Sequence, residues 1–467
     1  MLFSKIRYII YIILTLLFIT SAPLLVFYTA GYRYNFKKNK FQKIGVLILE
    51  SEPKGDKVSL NEKILEQKTP ARISNLLPGD YKVKIEKENF YPWEKNLTVR
   101  SGLVTFAKNI TLFKKSIPIQ ILPEENINLI ASQNDKDEII YNNQIEGKET
   151  FWNFNLKTKE KKLLFEISKK SDFLQSVGSP TPHISCSWAP NNKKILIEIG
   201  EDHYIVNIGE LNKKIHLEKY FGLNFEKVKW DPKNDFLLYG MAQDKFYKIN
   251  LSIKKATPFF SSKEISFTDI SDYLVKDDLL YFIDNSDKEI SSLKTVSLNN
   301  SVAKNIASLP PSKHYIFSES KPPFIALLNE KNNSLYLINP SLPSSSLQEV
   351  IFGVEDMEWA QNEKKLLYTN EFEIWIYDYT DTQESKKILL ARFSKPIKKA
   401  LWYPDNRHII FLIGNSIKLM ETDKKDRNTL ELVSFEKIDE ILNNITKNKL
   451  YFTGKIGSRE GLYELEI

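Results

Sequence analysis

The sequence has few of the residues that cross-link or interrupt small folds. Among its 467 residues there is one cysteine, Cys186, which excludes an intrachain disulfide framework and a multi-cysteine zinc site. Only 16 glycines and 20 prolines are present, which argues against collagen-like or low-complexity character. With 42% hydrophobic and 27% charged residues the composition is that of a globular protein, and the length predicts about three structural units.

Acidic residues are missing from the first 43 positions, which hold seven basic residues. Residues 44–115 carry 13 basic and 9 acidic residues, and residues 116–467 carry 46 basic and 50 acidic ones. The formal net charge of +7 therefore belongs to the N-terminal end. Because the bulk of the chain has no net positive field to attract phosphate, we do not predict nucleic-acid binding.

An uncharged run of 23 residues extends from Tyr8 to Ala30 and follows Lys5 and Arg7. As a helix it spans about 34 Å, which is enough to cross a lipid bilayer. It is longer than the roughly 7–15 residues of a secretory h-region, and Pro23 directly follows the small residues where cleavage is expected. We therefore predict that residues 1–31 are a basic n-region and an uncleaved transmembrane signal anchor, with the bilayer as partner.

Short β-strands are indicated for residues 44–115, which follow a basic linker at 32–43. Tyr81 to Ile85 alternates polar and apolar residues with a period of two, as a half-buried strand does. The preceding Leu77-Pro78-Gly79-Asp80 has proline and glycine placed as in a tight turn. The pattern predicts six or seven short strands and no helix.

The turn and aromatic positions of this stretch have a recognisable spacing. They are Pro53 and Gly55 before Val58, then Thr69, Pro70, Pro78, Gly79, Tyr81, Phe90, Tyr91 and Leu112. With this spacing residues 44–115 resemble the PEGA domain, although Lys54 and Asp56 stand where that family has Glu and Ala. The resemblance implies a compact β-sandwich of the kind found mainly in exported or surface-attached bacterial proteins. It implies turn-forming prolines and glycines, and no catalytic role.

The membrane orientation of the anchor has evidence on both sides. Two basic residues precede the apolar stretch and five follow it, which alone favours a cytoplasmic C-terminal side. Long C-terminal domains, however, translocate largely regardless of such charges, and the PEGA resemblance points to export. We predict a single-pass cell-membrane protein with the bulk of the chain extracytoplasmic, and keep a cytoplasm-facing assembly hub as an alternative.

An internal repeat occupies residues 116–467. Four similar segments, each with a tryptophan, a turn and an apolar strand, contain Trp188, Trp230, Trp359 and Trp402. Their spacings are 42, 129 and 43 residues, and two weaker copies fall inside the longest gap. A period of forty-odd residues made of short strands is typical of a β-propeller, in which the tryptophans pack between neighbouring blades.

The repeat predicts about eight four-stranded blades, with seven as the alternative because the first unit is divergent. The last unit lacks a fourth strand, and we predict that residues 117–122 supply it and close the ring. Trp230-Asp231-Pro232 and Trp402-Tyr403-Pro404-Asp405 resemble the TolB-type, WD40-like propeller repeat, with its glycine replaced. The predicted soluble part is thus all-β: a PEGA-like sandwich followed by a propeller.

Motifs for chemistry are missing from the sequence. No G-x-S-x-G, H-E-x-x-H, G-x-x-x-x-G-K-[ST] or G-x-G-x-x-G occurs, and the five histidines have no metal-ligand spacing on a helix. We interpret Cys186 as a buried structural thiol, Asp284 to Asp287 as a hairpin turn rather than a calcium loop, and Asp277-Asp278 as a chance pair. No catalytic, cofactor-binding or metal-binding residue is predicted, and no cofactor.

The sequence therefore favours a non-enzymatic binding or scaffold protein. The loops at the end faces of a propeller are where we expect a protein, peptide or cell-envelope glycan partner. The alternative from another class is a lyase- or glycosidase-type enzyme with a site in the central channel, because propellers host such sites.

Overall fold

A computed structural model describes residues 2–36, 38–132, 137–168, 184–208, 210, 213–258, 269–298, 302–342, 346–380, 386–423, 426–442 and 448–467. The chain forms two compact units. The first comprises Met1–Ile117 with Asp423–Leu430 and Glu466–Ile467, and the second comprises Pro118–Thr422 with Glu431–Leu465.

The chain begins with one long apolar helix, α1 (Leu2–Thr29), which contains Pro23. Its segment Ile9–Thr29 has a mean hydropathy of 2.5 and is not buried within the protein. Twenty-one residues at ~1.5 Å each are enough to cross a bilayer. By length and composition α1 is a candidate membrane anchor or signal sequence.

A β-hairpin occupies most of the predicted linker. Its strands are β1 (Tyr32–Asn35) and β2 (Lys40–Lys43), paired antiparallel. The Phe41 ring stacks on Phe27 of α1 with 5.8 Å between ring centroids, and the Arg33 guanidinium lies 3.6 Å from the centre of the Tyr28 ring. These aromatic and cation–π contacts give the basic segment an ordered structure that charge counting alone did not indicate.

The PEGA-like region is a sandwich of two sheets. Its strands are β3 (Gly45–Glu52), β4 (Lys57–Leu60), β5 (Lys63–Leu65), β6 (Ala71–Leu76), β7 (Gly79–Glu86), β8 (Trp93–Val99) and β9 (Val104–Thr111). One sheet has the order β6-β3-β9, with β3 and β9 parallel, and the other has the order β5-β4-β7-β8. Alternate residues of β3 and β7, such as Leu47, Leu49, Val83 and Ile85, are fully buried between the sheets.

The second unit consists of four-stranded sheets. Sheets 1 to 3 are β11 (Asn128–Ser132), β12 (Glu138–Ile145), β13 (Lys148–Asn155), β14 (Lys161–Ser168); β15 (Ile184–Trp188), β16 (Lys194–Ile199), β17 (Asp202–Asn207), β18 (Lys214–His216); and β19 (Glu226–Trp230), β20 (Leu237–Ala242), β21 (Lys245–Asn250), β22 (Lys255–Pro258). A short helix, α2 (Leu217–Phe221), which the sequence pattern did not indicate, follows β18 and buries Leu217.

Sheets 4 to 7 repeat this arrangement. They are β23 (Ile270–Lys276), β24 (Leu279–Asp284), β25 (Ser291–Ser297), β26 (Lys304–Leu309); β27 (Tyr315–Phe317), β28 (Ile325–Asn329), β29 (Ser334–Ile338), β30 (Leu347–Ile351); β31 (Asp356–Trp359), β32 (Lys365–Thr369), β33 (Glu373–Asp378), β34 (Lys387–Arg392); and β35 (Ile397–Trp402), β36 (His408–Ile413), β37 (Ser416–Glu421), β38 (Thr429–Ser434).

Sheet 8 joins the two ends of the repeat. It has the order β10-β41-β40-β39, formed by β10 (Ile119–Leu122), β39 (Lys437–Ile441), β40 (Lys449–Ile456) and β41 (Arg459–Glu466). The prediction that residues 117–122 supply the fourth strand is thus confirmed. Across the described residues there are eight such sheets, and each one packs on the next.

The sheets close into a ring. Sheets 1 to 7 share an apolar cluster at each junction. Phe435, which follows the last strand of sheet 7, contacts Phe452 and Tyr463 of sheet 8. Tyr451 and Leu462 of sheet 8 are in turn buried against sheet 1. First strands of neighbouring sheets contact one another, as β11 does β15 and β35 does β39, so they lie innermost. The second unit is a β-propeller, as the repeat predicted.

Candidate functional site

The four repeat tryptophans all end the first strand of their sheets. Trp230, Trp359 and Trp402 are buried and Trp188 is half-buried, each within an apolar cluster between two sheets. The indole N–H of Trp230 donates to the Ser187 carbonyl oxygen at 3.1 Å, that of Trp359 to Glu319 at 2.8 Å and that of Trp402 to Glu358 at 3.1 Å. These contacts join one sheet to the preceding one and occupy the polar edge of the indole rings.

Two of the PEGA-like turn residues, Gly55 and Thr69, are hydrogen-bonded to each other. The Thr69 hydroxyl accepts the Gly55 N–H at 2.6 Å and lies 2.6 Å from the Ser51 hydroxyl. A side chain at Gly55 would meet Ile85 Cγ2 at 2.3 Å, so that position requires glycine. The Tyr81 hydroxyl donates to the Leu77 carbonyl oxygen at 2.8 Å. Of the remaining positions, Pro53, Pro70 and Pro78 lie in bends and Gly79 begins β7.

Asp56, where the PEGA pattern has a small residue, faces outward. Its carboxylate lies 3.4 Å from the ammonium groups of both Lys68 and Lys87. Desolvation acts to raise the pKa of Asp56, but these two cations outweigh it and lower that pKa below its usual value. Asp56 is therefore not part of the apolar cluster between the two sheets.

A polar cavity of about 850 Å³ opens where the propeller ring closes. It lies between sheet 8, sheet 1 and the first residue of sheet 2, at one edge of these sheets. Its lining residues are Glu124, Asn126, Ile127, Asn128, Asn142, Gln144, Glu149, Ile184, Lys437, Asp439, Glu440, Thr453, Gly454, Glu460 and Gly461. Because the lining comes from both ends of the repeat, the cavity exists only in the closed ring.

Carboxylates dominate the lining of this cavity, with five acidic residues against one lysine. The single lysine, Lys437, lies 2.7 Å from the Asp439 carboxylate, whose hydrogen bond holds the pKa of Lys437 above its usual value. Glu124 accepts the Tyr141 hydroxyl at 2.8 Å and contacts the Lys161 ammonium. The Glu460 carboxylate also lies 3.5 Å from the Lys455 ammonium, so three of the five acids pair with lysines. The remaining excess of two acids over these lysines favours a positively charged ligand in the cavity.

The lining of this cavity includes the buried residue Thr453. Thr453 is 4% exposed, and among the described residues its Oγ1 has no hydrogen-bond partner. Buried polar groups are nearly always hydrogen-bonded, so this hydroxyl is an exception. Its oxygen has almost no accessible surface, so it does not offer a hydrogen bond to a ligand in the cavity.

The other candidate residues named from the sequence occupy structural or solvent-exposed positions where the structure describes them. Burial raises the pKa of the Cys186 thiol, which disfavours the reactive thiolate. Asp284 accepts the Lys294 ammonium at 2.5 Å and the Ser286 N–H at 2.9 Å within its turn. Asp277 and Asp278 are exposed in the β23–β24 turn. His183 lies outside the described residues.

Sequence reasoning missed a cluster at the outer strands of sheet 2. His216 Nε2 lies 2.9 Å from Asp202 Oδ1, and His203 Nδ1 lies 2.8 Å from Glu218 Oε1. These pairs are 14 and 15 residues apart, so pairing of β17 with β18 and the turn into α2 are what join them. The only sequence signal for this cluster is the density of such residues, two histidines and three acids within residues 202–218.

Comparison with known proteins confirms the PEGA resemblance, because the sequence profile of the PEGA domain matches residues 44–115. No characterised protein matches the chain by sequence. Among solved structures, the chain is similar to Kluyveromyces lactis Hsv2 at 8% identity and a TM-score of 0.36, covering 59% of this chain and 90% of that one. The propeller domain of Cps50 (Swd1) from Myceliophteria thermophila has 11% identity and a TM-score of 0.36, covering 74% and 100%. A eukaryotic initiation factor has 10% identity and a TM-score of 0.45, covering 76% and 91%.

Proposed function

We propose that this chain is a membrane-anchored scaffold protein without enzymatic activity. Its PEGA domain and propeller lie outside the cytoplasm, and the propeller binds a basic segment of a partner protein. The acid-lined cavity at the ring closure carries the proposal. A binding module needs a preformed concave surface with a distinct charge, and this cavity supplies both.

The N-terminal elements support attachment to a bilayer. Tyr8 to Ala30 is long and apolar enough to span it, and the hairpin that follows carries Tyr34, Phe36 and Phe41 as exposed rings. Aromatic rings and long basic side chains settle at the boundary between lipid and water. Arg33, Lys38, Lys40 and Lys43 suit the anionic headgroups there.

The dimensions and chemistry of the cavity suit a few protruding side chains. A volume of about 850 Å³ lies within the range of roughly 300–1,000 Å³ that is usual for binding pockets. Charged walls of this kind steer a complementary partner and set the association rate more than the affinity. A lysine- or arginine-bearing loop or terminus fits these requirements better than an acidic glycan, which the net negative charge of the lining would repel.

A charge-removal experiment tests the cavity. Asp439→Asn combined with Glu440→Gln is expected to weaken binding of a fluorescent lysine-rich peptide to the detergent-solubilised full chain by about tenfold, equivalent to about 1.4 kcal/mol. The effect should shrink as salt is added, because exposed charges are screened. Fluorescence anisotropy at low and at physiological ionic strength measures both quantities.

The matched control changes another pair of adjacent acids outside the cavity, Asp277→Asn with Asp278→Asn. This variant should bind the peptide like the wild type, and a glutamate-rich peptide should bind neither protein. Equal losses in both double variants would mean that only net charge matters. The cavity would then not be the binding site of the partner.

The membrane orientation has its own test. Added protease is expected to digest the propeller on intact cells, because we place residues 44–467 outside the cytoplasm. An antibody against a C-terminal tag follows the loss of the full-length band. If the tag stays protected while an established surface protein is digested, the cytoplasm-facing alternative replaces this orientation.

A further inference from the structure

The outer strands of sheet 2 bring an imidazole and two carboxylates to one point. Asp202 begins β17, His216 ends β18 and Glu218 lies in α2. His216 Nε2 is 2.9 Å from Asp202 Oδ1 and 3.3 Å from Glu218 Oε2. All three ligand-type atoms lie within 4.8 Å of one another.

The two distances from His216 Nε2, 2.9 and 3.3 Å, match those between neighbouring ligands of one metal ion. Bonds of about 2.0–2.2 Å from a divalent ion to nitrogen and oxygen place adjacent ligand atoms roughly 2.9–3.6 Å apart. Asp202 is 31% exposed at its side chain and His216 is 15% exposed, so an ion can enter from solvent and keep water ligands. Two carboxylates against one imidazole also leave a negative charge that a divalent cation neutralises.

Two further residues, His203 and Tyr204, contact the proposed ligands and orient them. His203, 1% exposed, has its Nδ1 2.8 Å from Glu218 Oε1, and its backbone N–H donates to Glu218 Oε2 at 3.1 Å. The Tyr204 ring stacks on the His216 ring at 4.7 Å. Metal sites have such supporting contacts, which fix the direction in which each ligand presents its lone pair.

The buried histidine also has an unsatisfied atom. Among the described residues His203 Nε2 has no hydrogen-bond partner, and the Glu198 carboxylate is 4.0 Å from it. Holding a buried imidazole with one unpaired nitrogen is costly. The other ring nitrogen of His203, Nδ1, is hydrogen-bonded to Glu218 and fixes the orientation of that carboxylate.

We propose that Asp202, His216 and Glu218 bind one divalent transition-metal ion, Zn²⁺ in the first place, with water completing the coordination. The imidazole ligand selects a first-row transition metal over Mg²⁺ and Ca²⁺, which take oxygen ligands. The ion ties β17, β18 and α2 together at the edge of sheet 2. A metal that binds only the folded protein also raises its unfolding temperature.

Titration of the chelator-treated full chain in detergent tests the site, with isothermal titration calorimetry for Zn²⁺ and visible absorption for Co²⁺. One Zn²⁺ per chain is expected, undisturbed by excess Mg²⁺ or Ca²⁺. His216→Gln and Asp202→Asn should each weaken Zn²⁺ binding by at least about 100-fold, and His203→Asn by about 10-fold to 100-fold. Asp202→Asn is isosteric and partly exposed, so it decides the matter if His216→Gln does not fold.

Matched controls are the exposed residues of the same types, His314→Gln and Asp277→Asn. Both should bind Zn²⁺ like the wild type and keep the metal-dependent rise in unfolding temperature. The proposal is overturned if the wild type binds no Zn²⁺, if Asp202→Asn binds it with unchanged affinity, or if Ca²⁺ displaces it. Loss of binding in His314→Gln would assign the ion to another surface and would overturn it equally.

Discussion

Gly461→Ala is expected to lower the free energy of unfolding of the propeller by at least about 3 kcal/mol, from overpacking and lost burial together. A Cβ atom at this position would lie 2.0 Å from the backbone carbonyl oxygen of Leu122. Real Cβ atoms do not approach an oxygen so closely, and backbone in a sheet cannot move aside cheaply. The φ angle of Gly461, +154°, is also one that residues with a side chain rarely adopt.

The consequence falls on the strand that closes the ring. Gly461 faces the β-bulge between Gln120 and Leu122 in β10, where two strands approach closely enough to need glycine. If β10 shifts, Leu122 leaves the apolar cluster that it shares with Tyr451 and Leu462. Sheet 8 then loses its outer strand, and the packing of sheet 8 on sheet 1 is weakened.

Gly457→Ala is the matched control for this prediction. Gly457 also has a positive φ, +56°, but a Cβ atom there has no neighbour within 4 Å. Gly457→Ala should lower the free energy of unfolding by only about 1–2 kcal/mol, because alanine disfavours the left-handed backbone conformation. Denaturant titration measures both variants, and hydrogen exchange of residues 119–122 should rise in Gly461→Ala alone. Equal midpoints for the two variants would show that β10 does not control stability.

The closing strand itself was within reach of sequence reasoning, and the glycine opposite it was not. A repeat of 43 residues with a deficient last unit requires a strand from elsewhere, and residues 117–122 were the apolar segment available. The repeat and the turn spacing were likewise enough to predict the propeller and the PEGA-like sandwich. The repeat period, the deficient last unit and the turn spacing can all be identified in the linear sequence.

The remaining features depend on contacts between distant residues. The hairpin at 32–43 is held by rings such as Phe27 and Phe41, which a charge count does not register. The cavity joins Glu124 to Glu460, and the sheet 2 cluster joins Asp202 to Glu218, only after strands have paired. Neither arrangement has a characteristic spacing in the sequence. The cavity forms through the closure of the ring, and the sheet 2 cluster forms through the turn from β18 into α2.

The innermost strands include a buried carboxylate, that of Asp272. Its removal should destabilise the propeller about as much as Gly461→Ala. Asp272 in β23 is 5% exposed and accepts the Lys229 ammonium from sheet 3 at 2.7 Å. Its other oxygen accepts the Phe317 N–H from sheet 5 at 2.8 Å. One carboxylate therefore joins three consecutive sheets near the axis of the ring.

Asp272→Ala is expected to destabilise the propeller by about 3 kcal/mol, the lower end for breaking a buried ion pair, because Lys229 keeps partial contact with water. Asp272→Asn should cost less, since its amide oxygen still accepts the Phe317 N–H and only the charge is lost. The exposed Asp278→Ala serves as control and should change stability by no more than about 1 kcal/mol. Urea unfolding midpoints at low and high salt distinguish Asp272→Ala from Asp278→Ala, because salt screens the exposed Asp278 far more than the buried Asp272–Lys229 pair. A cost for Asp272→Ala as small as that of Asp278→Ala would mean that apolar packing alone holds these three sheets together.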